Sequence, residues 1–393
     1  MVRRKQIMPW KNMKIMDQKV QLIADWQSKH FNITDLSQKY EISRPIIYKW
    51  IRRYEESGIE GLKDQSRAPV HRPNKTCESI IKLIIQEKIS NTKRGPKKIY
   101  AQLKQKYPLI DFPNPSTIGY WLKKNGFVQS RKIRRHVAPY NDPFISCNSA
   151  NSIWSADYKG QFPMKNKRVC YPLTISDNYS RYLLKCSGLL GPRYKESKAV
   201  FESAFRDYGL PSAIRTDNGI PFASTGMGGI SRLMIWWIQL GIIPERIKKG
   251  NPQQNGRHER MHRTLKHEVL DDIAHNIKEQ QKRFDSFRYD YNNHRPHEAL
   301  NQNPPAKIYA KSKRNYIEHP KEPEYDSSFK VRIVQSNGTA KIKGKRYFVS
   351  ETLYGKPVGI KEIDDGLFTI NYGFYQLGTI NIKKCKRCVR SKV

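Results

Sequence analysis

The run Trp154-Ser155-Ala156-Asp157-Tyr158-Lys159 sets Trp154, Ala156 and Tyr158 against Ser155, Asp157 and Lys159. An alternation of period two belongs to a strand with two unlike faces, and here one face carries a carboxylate. Arg168–Ile175 and Arg181–Ser187 follow as two further strand-like runs around Asp177-Asn178-Tyr179-Ser180, which reads as a hairpin. Lys198–Tyr208 then has helical spacing, Ala213–Thr216 is a short apolar strand stopped by Asn218-Gly219, Arg232–Leu240 is a second helix and Ile242–Ile247 a further strand. A third helix runs from about Asn255 to Leu270. Three strands that can meander antiparallel, followed by strands that need crossover helices, predict an α/β unit with a mixed sheet.

Upstream the period changes to that of helices. Val20, Leu22, Ile23 and Trp26, then Ile33 and Leu36, then Ile46, Ile47, Trp50, Ile51 and Tyr54 fit three short helices. Ser43 is a suitable N-cap with Pro45 in the first turn, Thr34 can start the helix before it, and the break at Glu41-Ile42 makes a helix-turn-helix. On a helical wheel Ile46, Ile47, Trp50 and Tyr54 share one face, which leaves Tyr48, Lys49, Arg52 and Arg53 on the face a recognition helix presents to DNA. The plainer reading is a three-helix bundle with a solvated basic face. Residues 65–75 read as an extended cationic linker or a simple spacer. Ile80 to Ile85, Ile99 to Tyr107, and a helix capped by Ser116 or Thr117 that buries Ile118, Trp121 and Leu122 predict a second unit of the same kind. Its outer face offers Lys123 and Lys124, and Arg131, Lys132, Arg134 and Arg135 trail after it, all suited to phosphates. Pro139 and Pro143 mark a boundary.

Downstream, Lys330–Val334, Arg346–Ser350, Val358–Ile363, Phe368–Tyr372 and Gly378–Ile382 are short runs separated by Asn337-Gly338, Lys343-Gly344 and Asp365-Gly366. They predict a small antiparallel barrel of the SH3-like kind. The expected domains are therefore 1–64, 76–138, 151–312 and 327–393.

The chain has 393 residues and a net charge of +38, divided as +18 over 1–150, +10 over 151–326 and +10 over 327–393. A basic excess in every segment points to a polyanionic partner. With 37% hydrophobic and 11% aromatic residues it carries enough apolar material to fold, although mean hydropathy is −0.76. Neither a membrane span nor an apolar signal segment is read, and six scattered cysteines do not form the framework of a small secreted domain. A cytoplasmic protein working at the nucleoid, with no membrane partner, is expected.

Three carboxylates stand in telling places: Asp157 within the first strand, Asp217 just past the fourth, and Glu259 on the last helix. Glu259 shares a face with Arg263 and Lys266, while Met261, Leu265 and Val269 lie opposite. Carboxylates turned toward DNA need a cation between them and the phosphates, and oxygen-only ligands favour Mg²⁺ or Mn²⁺. Glu268 is the nearest rival of Glu259, but it falls on the apolar side of the wheel.

Those residues carry a family resemblance. Trp154-Ser-Ala-Asp-Tyr-Lys-Gly160 with Gln161-Phe162, Ile175-Ser-Asp-Asn-Tyr-Ser-Arg181, Arg215-Thr-Asp-Asn-Gly219 and Gln253-Gln-Asn-Gly-Arg-His-Glu-Arg-Met-His-Arg-Thr-Leu-Lys266 resemble a bacterial insertion-sequence transposase whose catalytic core is similar to retroviral integrases. Tyr291-Asn-Asn-His-Arg-Pro-His-Glu-Ala-Leu300 with Pro304-Pro305 looks like that family's closing motif. The resemblance implies a ribonuclease-H-like fold with a DDE triad at Asp157, Asp217 and Glu259. It also implies two Mg²⁺ or Mn²⁺ ions, Asp157 bridging both and the other two carboxylates holding one each. Transposon ends would be bound by the helix-turn-helix units, a 3′-OH freed by water and joined to target DNA, by a homo-oligomer assembled on the DNA. One departure is the gap of 41 residues between Asp217 and Glu259, widened by Ser224-Thr-Gly-Met-Gly-Gly-Ile-Ser231, which reads as a loop before the helix that carries Trp236 and Trp237.

Two rivals remain: a transposase-derived regulator that binds DNA without catalysis, and a structure-selective nuclease on the same fold. An intact triad argues against the first and two upstream DNA-reading units against the second. Among weaker signals, Asp177 reads as a hairpin residue paired with Arg181 rather than an extra ligand, and His258 and His262 flank Glu259 where they can touch DNA or, as one of them more often does, stay solvated on the helix. Cys385-Lys-Arg-Cys388 is half a zinc motif with nothing to complete it, and Trp236 and Trp237 read as core, with stacking on target DNA the lesser reading.

Overall fold

The computed structural model describes residues 15–64, 76–128, 146–248 and 252–383. The linker 65–75, Arg131, Lys132, Arg134, Arg135, Pro139, Pro143, Cys385 and Cys388 lie outside the described residues. Contacts divide the chain into Met1–Lys75 and Thr76–Val393.

The first unit is a helix-turn-helix domain of α1 (Ile15–Gln27), α2 (Ile33–Tyr40) and α3 (Arg44–Ser57). They enclose Leu22, Ile23, Leu36, Ile47, Ile51 and Leu62. Helix α2 is capped by Asn32 and not by Thr34: the Asn32 side chain accepts from the Asp35 amide at 2.9 Å, and the Asp35 carboxylate from the Asn32 amide at 3.1 Å. Ser43 and Pro45 do start α3. Its buried ridge is Ile47 and Ile51, one turn apart, and this leaves Ile46, expected inside, 43% exposed.

In the second unit α4 (Glu78–Ser90), α5 (Pro96–Lys106) and α6 (Pro115–Lys124) bury Ile84, Ile99, Leu103, Ile118 and Leu122. Pro115 in the first turn of α6 places its N-cap at Asn114, ahead of Ser116 and Thr117.

The α/β core follows as β1 (Ile153–Tyr158), β2 (Phe162–Pro163), β3 (Val169–Asp177), β4 (Leu183–Leu189), α7 (Tyr194–Tyr208), β5 (Ala213–Thr216), α8 (Arg232–Gln239), β6 (Ile243–Arg246), α9 (Gly256–Val269) and α10 (Ile277–Asn293). Strand β3 pairs antiparallel with β1, β2 and β4, whereas β1 with β5 and β5 with β6 are parallel, so the sheet is mixed. One face packs α7 and α8 through Phe201, Phe205, Trp236 and Trp237. Against the other, Met261 and Leu265 of α9 and Phe284 and Phe287 of α10 meet Cys170, Leu183 and Cys186 of the strands.

The last elements are β7 (Lys330–Ile333), β8 (Thr339–Ile342), β9 (Lys345–Phe348), β10 (Pro357–Asp364), β11 (Leu367–Tyr372) and β12 (Tyr375–Asn381). All their pairings are antiparallel, but the closed barrel is not formed: the hydrogen bonds make one four-stranded sheet, β12-β11-β10-β7, and a separate β8-β9 hairpin. The ladder between β7 and β10 ends at Val334, whose amide donates to Lys356 O at 3.1 Å. The Gln335 amide then donates to Thr339 O at 2.9 Å across the Asn337-Gly338 turn, which sends the chain into its own hairpin. The Gly-rich insert lies under this region. Met227 donates its amide to Val349 O at 2.7 Å, and the Thr352 hydroxyl donates to Ile230 O at 2.9 Å.

Candidate active site

The site begins with strand register. Parallel β1 and β5 set Ser155 against Arg215, so two residues on in each strand Asp157 and Asp217 emerge side by side at the end of the sheet. Asp217 lies just past β5, where its Oδ1 accepts from the Gly219 amide at 3.0 Å and Asn218 ties the turn to β6 by donating to Ile247 O at 2.8 Å. A side chain on residue 219 would bring its Cβ to 3.0 Å from Asp217 Oδ2, so glycine keeps that flank of the carboxylate open. Beneath Asp217, Arg215 pairs with Glu245 at 2.7 Å, both side chains nearly buried, and also reaches Gln254 O just before α9. Glu259 is exposed in the first turn of α9 with Arg263 and Lys266 also exposed, while Met261, Leu265 and Val269 are buried.

Asp157 feels the other two carboxylates. Burial pushes the Asp157 carboxyl up to about 7, with Asp217 next and Glu259 adding to the rise. A carboxylate held this far above its usual range has like charges around it and too little water. That is a fit for a divalent cation and a misfit without one.

Two histidines expected in solvent or against DNA lie under Asp157. His258 and His262 are 1% and 6% exposed, between α9 and β3. The Thr174 hydroxyl contacts both Nε2 atoms at 2.7 Å and donates to Asp157 O at 3.0 Å, and Ser176 Oγ lies 2.9 Å from His258 Nδ1. One proton assignment satisfies every contact: both Nε2–H groups donate to Thr174, Ser176 donates to His258 Nδ1, and His262 Nδ1 is bare. Burial lowers His258 to about 3, and burial with the neighbouring His258 lowers His262 to about 2. The 3.7 Å approach of His262 Nδ1 to Asp157 Oδ2 is therefore not an ion pair near neutral pH. Asp157, His258 and His262 are also close enough together to offer ligand atoms to one metal ion. The signal that could have found the histidines is their spacing, since His258, Met261, His262, Leu265 and Val269 form one stripe of α9.

The remaining sequence candidates fall elsewhere. Glu268 forms an ion pair with Arg295, away from the carboxylates. Asp177 is buried and accepts from the amides of Asn151 and Ser180 and from the Ser180 hydroxyl; Arg181, its expected partner, donates to Asn178 O instead. Trp236 and Trp237 are core. On α3, Tyr48 and Lys49 are exposed, Arg52 is exposed beside Glu56 at 3.3 Å, and Arg53 is half-buried with its guanidinium 5.2 Å from the Trp50 ring. On α6, Lys123 and Lys124 are exposed.

Comparison with known proteins agrees with this layout. Residues 148–252 and 240–305 match integrase core domains, 18–69 a helix-turn-helix domain and 46–122 a homeodomain-like domain. The insertion element IS407 uncharacterized 31.7 kDa protein of Burkholderia multivorans (strain ATCC 17616 / 249) is 28% identical over 196 residues, which are 47% of this chain and 64% of that protein. The match thus spans less than two thirds of that relative's length. The insertion element IS476 uncharacterized 39.2 kDa protein of Xanthomonas euvesicatoria is 25% identical over 252 residues, 62% of this chain and 67% of that one. Among solved structures, the HTLV-2 integrase catalytic core domain in complex with magnesium is 18% identical over 41% of this chain and 98% of its own, with a TM-score of 0.33. The BIV integrase catalytic core domain is 18% identical over 40% and 93%, with a TM-score of 0.31. The chain thus carries integrase core domain matches behind helix-turn-helix matches, and it is similar to these insertion-element proteins.

Proposed function

We propose that the protein is a DNA transposase that cleaves the ends of its element and joins them to target DNA, with Asp157, Asp217 and Glu259 as the catalytic carboxylates. The observation that carries this reading is the raised Asp157 carboxyl, crowded by Asp217 and Glu259 on a protein of net charge +38. Two Mg²⁺ or Mn²⁺ ions held by the three carboxylates would polarise the scissile phosphate and lower the pKa of the attacking hydroxyl. Asp157 is steadied by its place in β1 and by Thr174, while the turn at Gly219 leaves Asp217 an open flank. Water attacks the phosphorus at the element's end; its oxygen forms the new P–O bond, the 3′ oxygen leaves and takes up a proton as a 3′-OH. That hydroxyl then attacks a target phosphorus, losing its proton and displacing the target's own 3′ oxygen, so one phosphodiester is exchanged for another without ATP.

Tyr48, Lys49, Arg52 and Arg53 of α3, with Lys123 and Lys124 of α6, read or hold the terminal repeats, and Arg263 and Lys266 contact phosphates beside Glu259. Pairing of two ends calls for a homo-oligomer on DNA. The test is strand joining in Mg²⁺ with oligonucleotides from the DNA flanking the reading frame. Asp157→Asn, Asp217→Asn and Glu259→Gln should each abolish joining and leave end binding intact; joining at the wild-type rate by any of them removes that residue from the site.

A further inference from the structure

The second helix-turn-helix unit and the α/β core keep separate apolar clusters, so little oil joins them. Charge does. Arg94, in the turn between α4 and α5, is 4% exposed, and its Nη2 donates to both oxygens of Asp290 on α10 at 2.9 and 2.7 Å. The turn is stiffened from behind, because the largely buried Lys88 ammonium donates to Thr92 O at 2.5 Å and Arg94 O at 2.8 Å. On either side Lys93 meets Asp271 at 2.5 Å and Lys97 meets Glu298 at 2.5 Å. Lys98, from the first turn of α5, is half-buried near Arg295 and Glu268, the ion pair at the far end of α9.

A surface ion pair alone is worth little, but an arginine this buried has no water to return to if its partner is lost. The three acceptors sit just beyond α9, on α10 and in the Glu298–Leu300 turn, so they hold the unit at three points. Helix α9 links this clamp to the carboxylates. Glu259 is in its first turn and Glu268 near its end, nine residues or about 14 Å apart on a rigid rod.

We infer that Arg94–Asp290, flanked by Lys93–Asp271 and Lys97–Glu298, is a clamp that fixes the second helix-turn-helix unit to the core and thereby sets which phosphodiester is cut. The unit is an arm of the core and not a tethered reading head. This rests on the transposase reading above only in its second half. Arg94 and Asp290 are positioning residues, since neither is near the three carboxylates.

The test uses the full chain and two readouts. Amide hydrogen exchange without DNA follows α4–α5 and the end of α10, with β3 as the internal reference; cut position is mapped at nucleotide resolution on end-labelled DNA. Asp290→Asn should speed exchange at the clamp by about tenfold or more, leave β3 unchanged, keep end binding, and spread the cuts over neighbouring phosphodiesters. If Asp290→Asn fails to fold, Lys93→Glu with Lys97→Glu breaks the exposed flanks without stranding a buried charge, and should loosen the same segment. Exchanging the charges, Lys97→Glu with Glu298→Lys, should restore exchange and a single cut relative to Lys97→Glu alone. Unchanged exchange at the clamp overturns the inference, and so does a single wild-type cut once the clamp is loose. A wild-type protein that binds ends but never cuts would sink the transposase reading instead, and the exchange result still decides the clamp.

Discussion

Arg215 and Glu245 face each other across parallel strands β5 and β6 and pair at 2.7 Å, with side chains only 10% and 11% exposed. The pair lies directly under the turn that carries Asp217, and Arg215 also reaches Gln254 O ahead of α9, so one guanidinium ties together two of the elements bearing carboxylates. Glu245→Gln removes the negative charge and leaves the positive one buried. It should destabilise the core by about 3–5 kcal/mol in chemical denaturation. A loss below about 1 kcal/mol would mean that water reaches Arg215.

The Asp157 carboxyl makes a second prediction, for protein kept in chelator. Its folded value, about 7, is above the ordinary 3.8, so the folded state binds the extra proton. The stabilisation from that proton is full below about pH 4 and is lost as pH rises through 7, up to about 4 kcal/mol by pH 8. Asp157→Asn keeps the shape, removes the charge and supplies an N–H toward the bare His262 Nδ1. The variant should be more stable than wild type at pH 8 and nearly equal to it at pH 4, by thermal melting. Equal melting at both pH values would show that the carboxylate is not crowded.

Buried histidines act in the opposite sense. His258 and His262 are held neutral, far below the 6.5 they have when unfolded, so the unfolded chain binds more protons below that pH. Stability present above pH 6.5 should therefore fall by about 1.4 kcal/mol per pH unit for each histidine as the solution is acidified. His258→Gln should flatten this acid slope in a series of urea titrations. A slope identical to wild type would place His258 in contact with solvent.

The Gly-rich insert gives a prediction far from the chemistry. Gly228 has φ of +63°, and a Cβ there would lie 2.7 Å from Leu377 O of β12. Gly228→Ala meets both a disfavoured backbone region and a fixed carbonyl, and should cost about 1–3 kcal/mol. Proteolysis of 327–393 should quicken in the variant while β3 keeps its protection. Wild-type proteolysis would show that the insert does not hold the sheet.

Much of this architecture was legible because short-range signals and long-range needs agreed. Alternation around Asp157, the stop at Asn218-Gly219 and the face of α9 that carries Glu259 each depend on neighbours within a turn or a strand. What escaped depends on partners far along the chain. His258 and His262 look like solvated polar residues until β3 supplies Thr174 and Ser176, more than 80 residues earlier. The insert around Met227 looks like an idle loop until Val349 accepts its hydrogen bond. Barrel closure is not reached for a related reason: turn residues mark where strands end but not which strands pair, and the Lys343-Gly344 turn closes a hairpin rather than continuing a ring. The buried Arg94 likewise has no sequence signature beyond one basic residue among many.

Metal uptake tests the central claim most directly. Mn²⁺ binding to the full chain with end DNA, followed by electron paramagnetic resonance, should show two ions on wild type, and Asp157→Asn should lose both while Lys123→Ala loses neither. Undiminished uptake by Asp157→Asn, or none by wild type, would contradict a shared carboxylate site.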